Sequence, residues 1–135
     1  MTTTFDFNDG NGPVPAHRHV NGDGWVADTA YVSDSASVSR QARVYGDARV
    51  FGNARVSGNA RVSGIAEIYG DARVSGIACV SGHVWVFGSA RVFGNAEVSG
   101  NALVFDDAVV GDDAVVGDDA VVSGNARVFD ECRSR

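Results

Sequence analysis

A six-residue phrase, Ala, any, Val, any, Gly or Asp, any, recurs without insertion or deletion from Trp25 to about Phe129, and few folds can accommodate it. Alanine returns every sixth residue from Ala30 to Ala126 with one exception, Val84. The slot two positions after it is Val throughout, apart from Ile68. An α-helix cannot use this pattern. Apolar residues spaced two and then four apart drift around a 3.6-residue surface, and glycine in almost every second turn would cost about 1 kcal/mol each. Short strands can use it, because residues i and i+2 of a strand point to the same side. The Gly or Asp two residues after Val then falls where the chain must turn, and both types tolerate positive φ. Each hexad therefore reads as one short strand and one corner. Gly holds the corner in most hexads, and Asp holds it at 28, 34, 106, 112, 118 and 130.

Segments such as GNARVSGNARVSG resemble the hexapeptide-repeat proteins, whose signature is an aliphatic residue followed four positions later by a small one. The resemblance covers most of the chain. It implies an all-β, left-handed parallel β-helix: a triangular solenoid of 18 residues per coil, here about six coils, with Val filling each side and Ala the space near each corner. The handedness it implies is an exception to the usual right-handed crossover. The division expected is a short irregular cap over 1–23, the β-helix over 24–132 and a tail of 133–135.

Residues eighteen apart must then stack, which sorts the outward positions by face. One face carries Tyr31, Phe51, Tyr69, Trp85, Phe87, Leu103, Phe105 and Val121. Six of the ten aromatic residues in the repeats fall there. Such a stripe is either a stabilising ladder of stacked rings or an exposed contact surface larger than soluble monomers usually carry. Because hexapeptide-repeat proteins are commonly homotrimers packed side by side, the resemblance implies a homo-oligomer, a trimer first, or another protein partner on this face. A second face carries Arg55, Arg73, Arg91 and Arg127 in one column, which asks for nearby acids such as Asp47 and Asp71, or an anionic partner, to offset like-charge repulsion. Near the end, Asp106, Asp107, Asp112, Asp113, Asp118 and Asp119 form an acidic collar in which Asp112 and Asp113 are expected to stack under Asp130 and Glu131. The collar reads as solubilising charge, and its spacing matches no calcium loop.

The segment before the repeat is rich in Gly, Asn and Asp and is expected to fold over the open end of the rod, with Phe5 and Phe7 as an apolar lid. His17 and His19 alternate and, with Asp23, offer a weak metal-binding alternative. His83 is the only histidine inside a repeat, beside the one missing alanine. The resemblance extends to acyltransferases that use acetyl-CoA, in which a histidine acts as general base; His83 is the residue that matches. It extends also to gamma-class carbonic anhydrases, which need three zinc-binding histidines. No loop interrupts the hexads to shape an acceptor pocket, so the reading favours a non-enzymatic scaffold or binding protein without a cofactor, with capture of a macromolecule or nucleotide as a further alternative.

The totals fit that reading. A net charge of −6, from 17 acidic residues against 11 arginines and no lysine, argues against general attraction for nucleic acid or anionic membrane. No stretch approaches about 18 continuous apolar residues, and the start MTTTFDFNDG has no basic stretch leading into an apolar run. With two free cysteines expected at Cys79 and Cys132, a cytoplasmic location is the default.

Overall fold

The computed structural model describes residues 3–7, 10, 12–39, 41–129 and 131–132, the last two through their backbone alone. It is an all-β solenoid of about six coils. Every repeat strand is two or three residues long, and each pairs in parallel with the strand eighteen residues away, as Val74 does with Val56 and Val92. Three sheets of nine, six and six strands result. We name them by what they carry. The hairpin face contains Trp25–Ala27, Arg43–Val44 and their successors. The aromatic face runs from Tyr31–Val32 to Val121–Val122. The arginine face runs from Ser37–Val38 to Arg127–Val128. Among the described residues no helix is long and apolar enough to cross a membrane.

The interior is the Ala and Val columns, one continuous apolar cluster from Val26 to Val122, with nearly every member wholly buried. A parallel sheet this narrow leaves no room for polar groups inside. The backbone is satisfied between coils instead: Arg73 donates to the carbonyl of Ala90 and Ser75 to that of Val92.

Corners depend on which coil follows. The corner glycines from Gly46 to Gly100 all have positive φ, and a Cβ on any of them would meet the backbone of the next coil's corner at about 3 Å, as at Gly64 against the amide nitrogen of Gly82 at 2.7 Å. Asp replaces Gly in the same conformation at 106, 112 and 118, on the last turn of each corner column or the one before it. At Asp106 the carboxylate accepts from the Gly124 amide above it at 3.1 Å. The first coil departs from expectation. Asp28 and Asp34 are not in the left-handed region, and the hydroxyls of Thr29 and Ser35 donate to the carbonyls of Gly46 and Gly52. Elsewhere a backbone amide makes that contact, as Asp47 does to Gly64.

Both ends also differ from the sequence expectation. Instead of an irregular cap, β1 (Thr4–Asp6) and β2 (Pro13–Arg18) form an antiparallel hairpin, and β2 pairs antiparallel with β3 (Trp25–Ala27), placing His17 opposite Val26. Phe5 and Phe7 do not roof the interior. They belong to a second apolar cluster with Ala16, Ala27, Trp25 and Tyr45, on the outer side of the hairpin face, because Ala27 and Tyr45 each follow an inward Val. Phe5 stacks on Trp25 at 4.6 Å and Phe7 on Tyr45 at 4.9 Å, while the Arg18 and Arg43 guanidiniums lie over Trp25 and Phe5. The open end is covered instead by the turn after β2. His19, buried, bonds through Nε2 to the Ala36 carbonyl at 2.8 Å, Gly24 donates to the Val38 carbonyl, and Val38 donates to that of Asn21. At the other end Glu131 pairs with Val115, two residues short of the eighteen-residue register, so it does not stack over Asp113; Asp130 lies outside the described residues.

Candidate functional site

The aromatic stripe divides into two structures. Phe51, Tyr69, Phe87 and Phe105, each following an inward residue, stack along one edge of the rod with centroids 4.9, 5.0 and 5.0 Å apart and planes within 4° of parallel. Each ring covers its neighbours, so all four are half-buried rather than exposed, which is the ladder reading of these positions. Burial, and secondarily the Glu67 carboxylate, raises the pKa of the Tyr69 phenol above its ordinary value. The strand centres behave differently, since they stand on a flat face with no covering element. Tyr31 is 55% exposed, Trp85 42% and Val121 58%, with Leu103 half-buried between the last two.

A groove of about 790 Å3 runs along this face between two columns, Thr29, Asp47, Ile65 and His83 on one side and Tyr31, Arg49, Glu67 and Trp85 on the other. Exposed Ile65 was invisible to a sort that followed only the positions flanking Val. The same eighteen-residue sort applied one residue after the corner glycine would have found it. His83 is exposed at a corner, its amide donating to Gly100, and Trp85 stands beside it in the groove. Arg49 and Glu67 are paired strand neighbours, yet no ion pair joins them.

On the arginine face, Arg55, Arg73 and Arg91 are exposed and in direct register, Arg73 being the backbone partner of both others. Val109 interrupts the column before Arg127. Of the corner acids, Asp71 lies in the same groove as Arg55 and Arg73 without an ion pair within 4.0 Å to either, its carboxylate accepting from the Asn53 amide at 3.5 Å, while Asp47 lies in the groove of the aromatic face. An open groove of about 560 Å3 runs beside Arg55 and Arg73, with Ser35, Ser37, Asn53 and Asp71 along it and Asn21 of the capping turn at one end.

The two histidines of the N-terminal segment part company because β2 ends at Arg18. His17 remains on the strand, exposed and bonded to Asp28 at 2.7 Å, whereas His19 enters the turn and faces Ala36. Asp23, in the left-handed region, donates its amide to the His19 carbonyl and offers its own carbonyl to Arg18. No cluster of three His, Cys, Asp or Glu side chains suited to a metal occurs among the described residues. Cys79 is free and half-buried, while nothing is described of the Cys132 side chain.

Comparison with known proteins agrees with the fold. No curated protein and no solved structure matches the chain. A family model described as the YdcK beta solenoid repeat matches residues 42–56, 52–64 and 96–112. Over those segments the chain is similar to that repeat, and it is a β-solenoid repeat protein.

Proposed function

We propose that this chain is a non-enzymatic scaffold that self-associates through its aromatic face. One observation carries the reading: the chain covers its own outward aromatics on the hairpin face, where Phe5 and Phe7 lie over Trp25 and Tyr45, but leaves Tyr31 and Trp85 open on the neighbouring face. Covering the exposed half of a Trp or Tyr with a matched surface contributes about 2 kcal/mol each.

The pattern along the face is self-complementary. An antiparallel copy, related by a twofold axis between the coils of Arg49 and Glu67, brings each Arg49 against the partner's Glu67 and each Tyr31 against the partner's Trp85. Phe51 then meets the partner's Tyr69. A twofold interface requires this reciprocity, residue i on j and j on i. The charge pattern favours such a pair over the side-by-side trimer that the hexapeptide resemblance implies, in which neither charge gains a defined partner.

The test is native mass at about 100 μM, where micromolar self-association populates an oligomer. Arg49→Glu is expected to give a monomer with an unchanged circular dichroism spectrum, and Arg49→Glu with Glu67→Arg to restore the dimer. A monomeric parent removes self-association altogether. A trimeric parent indifferent to both charge changes retains the face but removes the antiparallel register.

A further inference from the structure

We infer that the arginine face is a binding site for a linear acidic polysaccharide, a chain of sugars carrying carboxylates or sulfates. The argument begins with a cost. Arg55, Arg73 and Arg91 sit on adjacent parallel strands about 4.8 Å apart, and like charges directly opposite one another in a sheet are destabilising. The same column accepts Ser at 37 and Val at 109, so the fold does not require arginine there. Nor does the chain neutralise the column internally. None of the three guanidiniums lies within 4.0 Å of a carboxylate among the described residues, although the chain has more acids than bases, and the nearest corner acid in the groove, Asp71, is bonded to Asn53. Arg55 and Arg73 thus line one open groove, with Arg91 next in the same column, and Asp71 is the one carboxylate in that lining.

The surroundings say which anion fits. Besides Arg55, Arg73 and Asp71, the groove is lined by hydroxyl and amide groups, Ser35, Ser37 and Asn53, with Asn21 of the capping turn standing across one end. Ser57 and Ser75 follow the inward Val residues of the same strands and flank the arginines on the far side. Hydroxyls and amides on both sides of a cation row suit the hydroxyl-rich rim of a sugar chain, whose advance per residue is comparable to the rise of one coil. A single-stranded nucleic acid would need aromatic platforms for its bases. This stretch offers a single ring, Phe93 beside Arg91, which packs over Gly111, while the corresponding positions beside Arg55 and Arg73 are Ser57 and Ser75. An extended peptide would look for free backbone groups to pair with, and those of these strands are taken up by their neighbours above and below. Arginine also holds carboxylate and sulfate oxygens in a two-pronged geometry.

The site is independent of the aromatic face, so it can be tested whatever the oligomeric state. Hexameric oligogalacturonate is titrated into the intact protein by calorimetry at low and at physiological salt, with a neutral glucose hexamer, a sulfated hexasaccharide and oligo-dT of matched charge as parallel probes. Saturable binding of the galacturonate or sulfated hexamer that weakens with salt is expected, and the neutral hexamer should not bind. Arg73→Ser, which copies the residue the chain itself uses at Ser37, should weaken binding roughly tenfold or more. Arg61→Ser, the same loss of charge on the hairpin face, should leave it unchanged. Absence of acidic-sugar binding overturns the proposal, and so does equal binding of the neutral hexamer. Tighter binding of oligo-dT, or an equal loss in Arg61→Ser and Arg73→Ser, also overturns it, by showing a different polyanion or general attraction in place of a built site.

Discussion

Gly64→Ala and Gly124→Ala are the same substitution in nearly the same backbone conformation, φ +68° and +62°, and they should differ several-fold in cost. Placing alanine in the left-handed region costs about 1 kcal/mol at either position. At Gly124 nothing lies within 4 Å of the new Cβ, so the strain is the whole effect. At Gly64 the Cβ would sit 2.7 Å from the amide nitrogen of Gly82 and 3.2 Å from its carbonyl oxygen, both backbone atoms of the next coil, which cannot swing aside as a side chain would. Overpacking of this kind costs about 1–3 kcal/mol more, for a total of roughly 2–4 kcal/mol. In a domain of this size each kcal/mol lowers Tm by roughly 3–5 °C. Gly64→Ala should therefore melt well below Gly124→Ala when both are followed by circular dichroism. Midpoints within about 2 °C of each other would refute the view that coil stacking, rather than φ alone, selects glycine at the corners.

Three further outcomes follow from residues already described. Val74→Asp places a charge in the wholly buried column and is expected to unfold the rod, whereas Arg73→Asp beside it should melt within a few degrees of the parent; thermal melts of the two variants check the inward and outward assignment. The raised pKa of Tyr69 means that its contribution to stability is full below the unfolded phenol value of about 10 and is lost as pH rises through the higher folded value. In an ultraviolet phenolate titration Tyr69→Phe should remove a component that titrates above the ordinary phenol value, and loss of one at or below that value would contradict the stacked, desolvated ring. Acetyl-CoA should show no saturable binding up to about 1 mM; micromolar binding that disappears in His83→Ala would replace the scaffold with an acyltransferase.

Period six was enough to place the core, the strands and the three faces, because a solenoid leaves each repeat only one environment. Val26 through Val122 could be assigned inward before any coordinate, and the stacking partners of Arg73 followed by adding and subtracting eighteen. What the repeat could not reveal lies where it stops. The hairpin of Thr4–Asp6 and Pro13–Arg18 has no periodicity to read, and its antiparallel pairing onto Trp25–Ala27 is set by Phe5 and Phe7 finding Trp25 and Tyr45, contacts made across long sequence separations. His19 resembles a ligand in sequence, but it leaves the strand one residue before its side chain could join His17. In the aromatic column the residue types alone did not separate half-buried Phe87 from exposed Trp85. The difference is one of position, beside the corner in a ring stack or at the middle of a flat strand.

The seal at the first coil bears on how many molecules can join end to end. A filament of solenoids grows only if the last coil of one copy pairs with the first coil of the next along every sheet, a head-to-tail contact that never closes. Here β2 occupies the leading edge of the hairpin face in the antiparallel sense, and the turn through Asn21 and Gly24 bonds to both backbone groups of Val38 at the leading edge of the arginine face. Two of the three tracks for such growth are therefore closed at one end. At this end the Tyr31–Val32 strand of the aromatic face is the one leading edge of the repeat with no further strand or turn paired to it among the described residues.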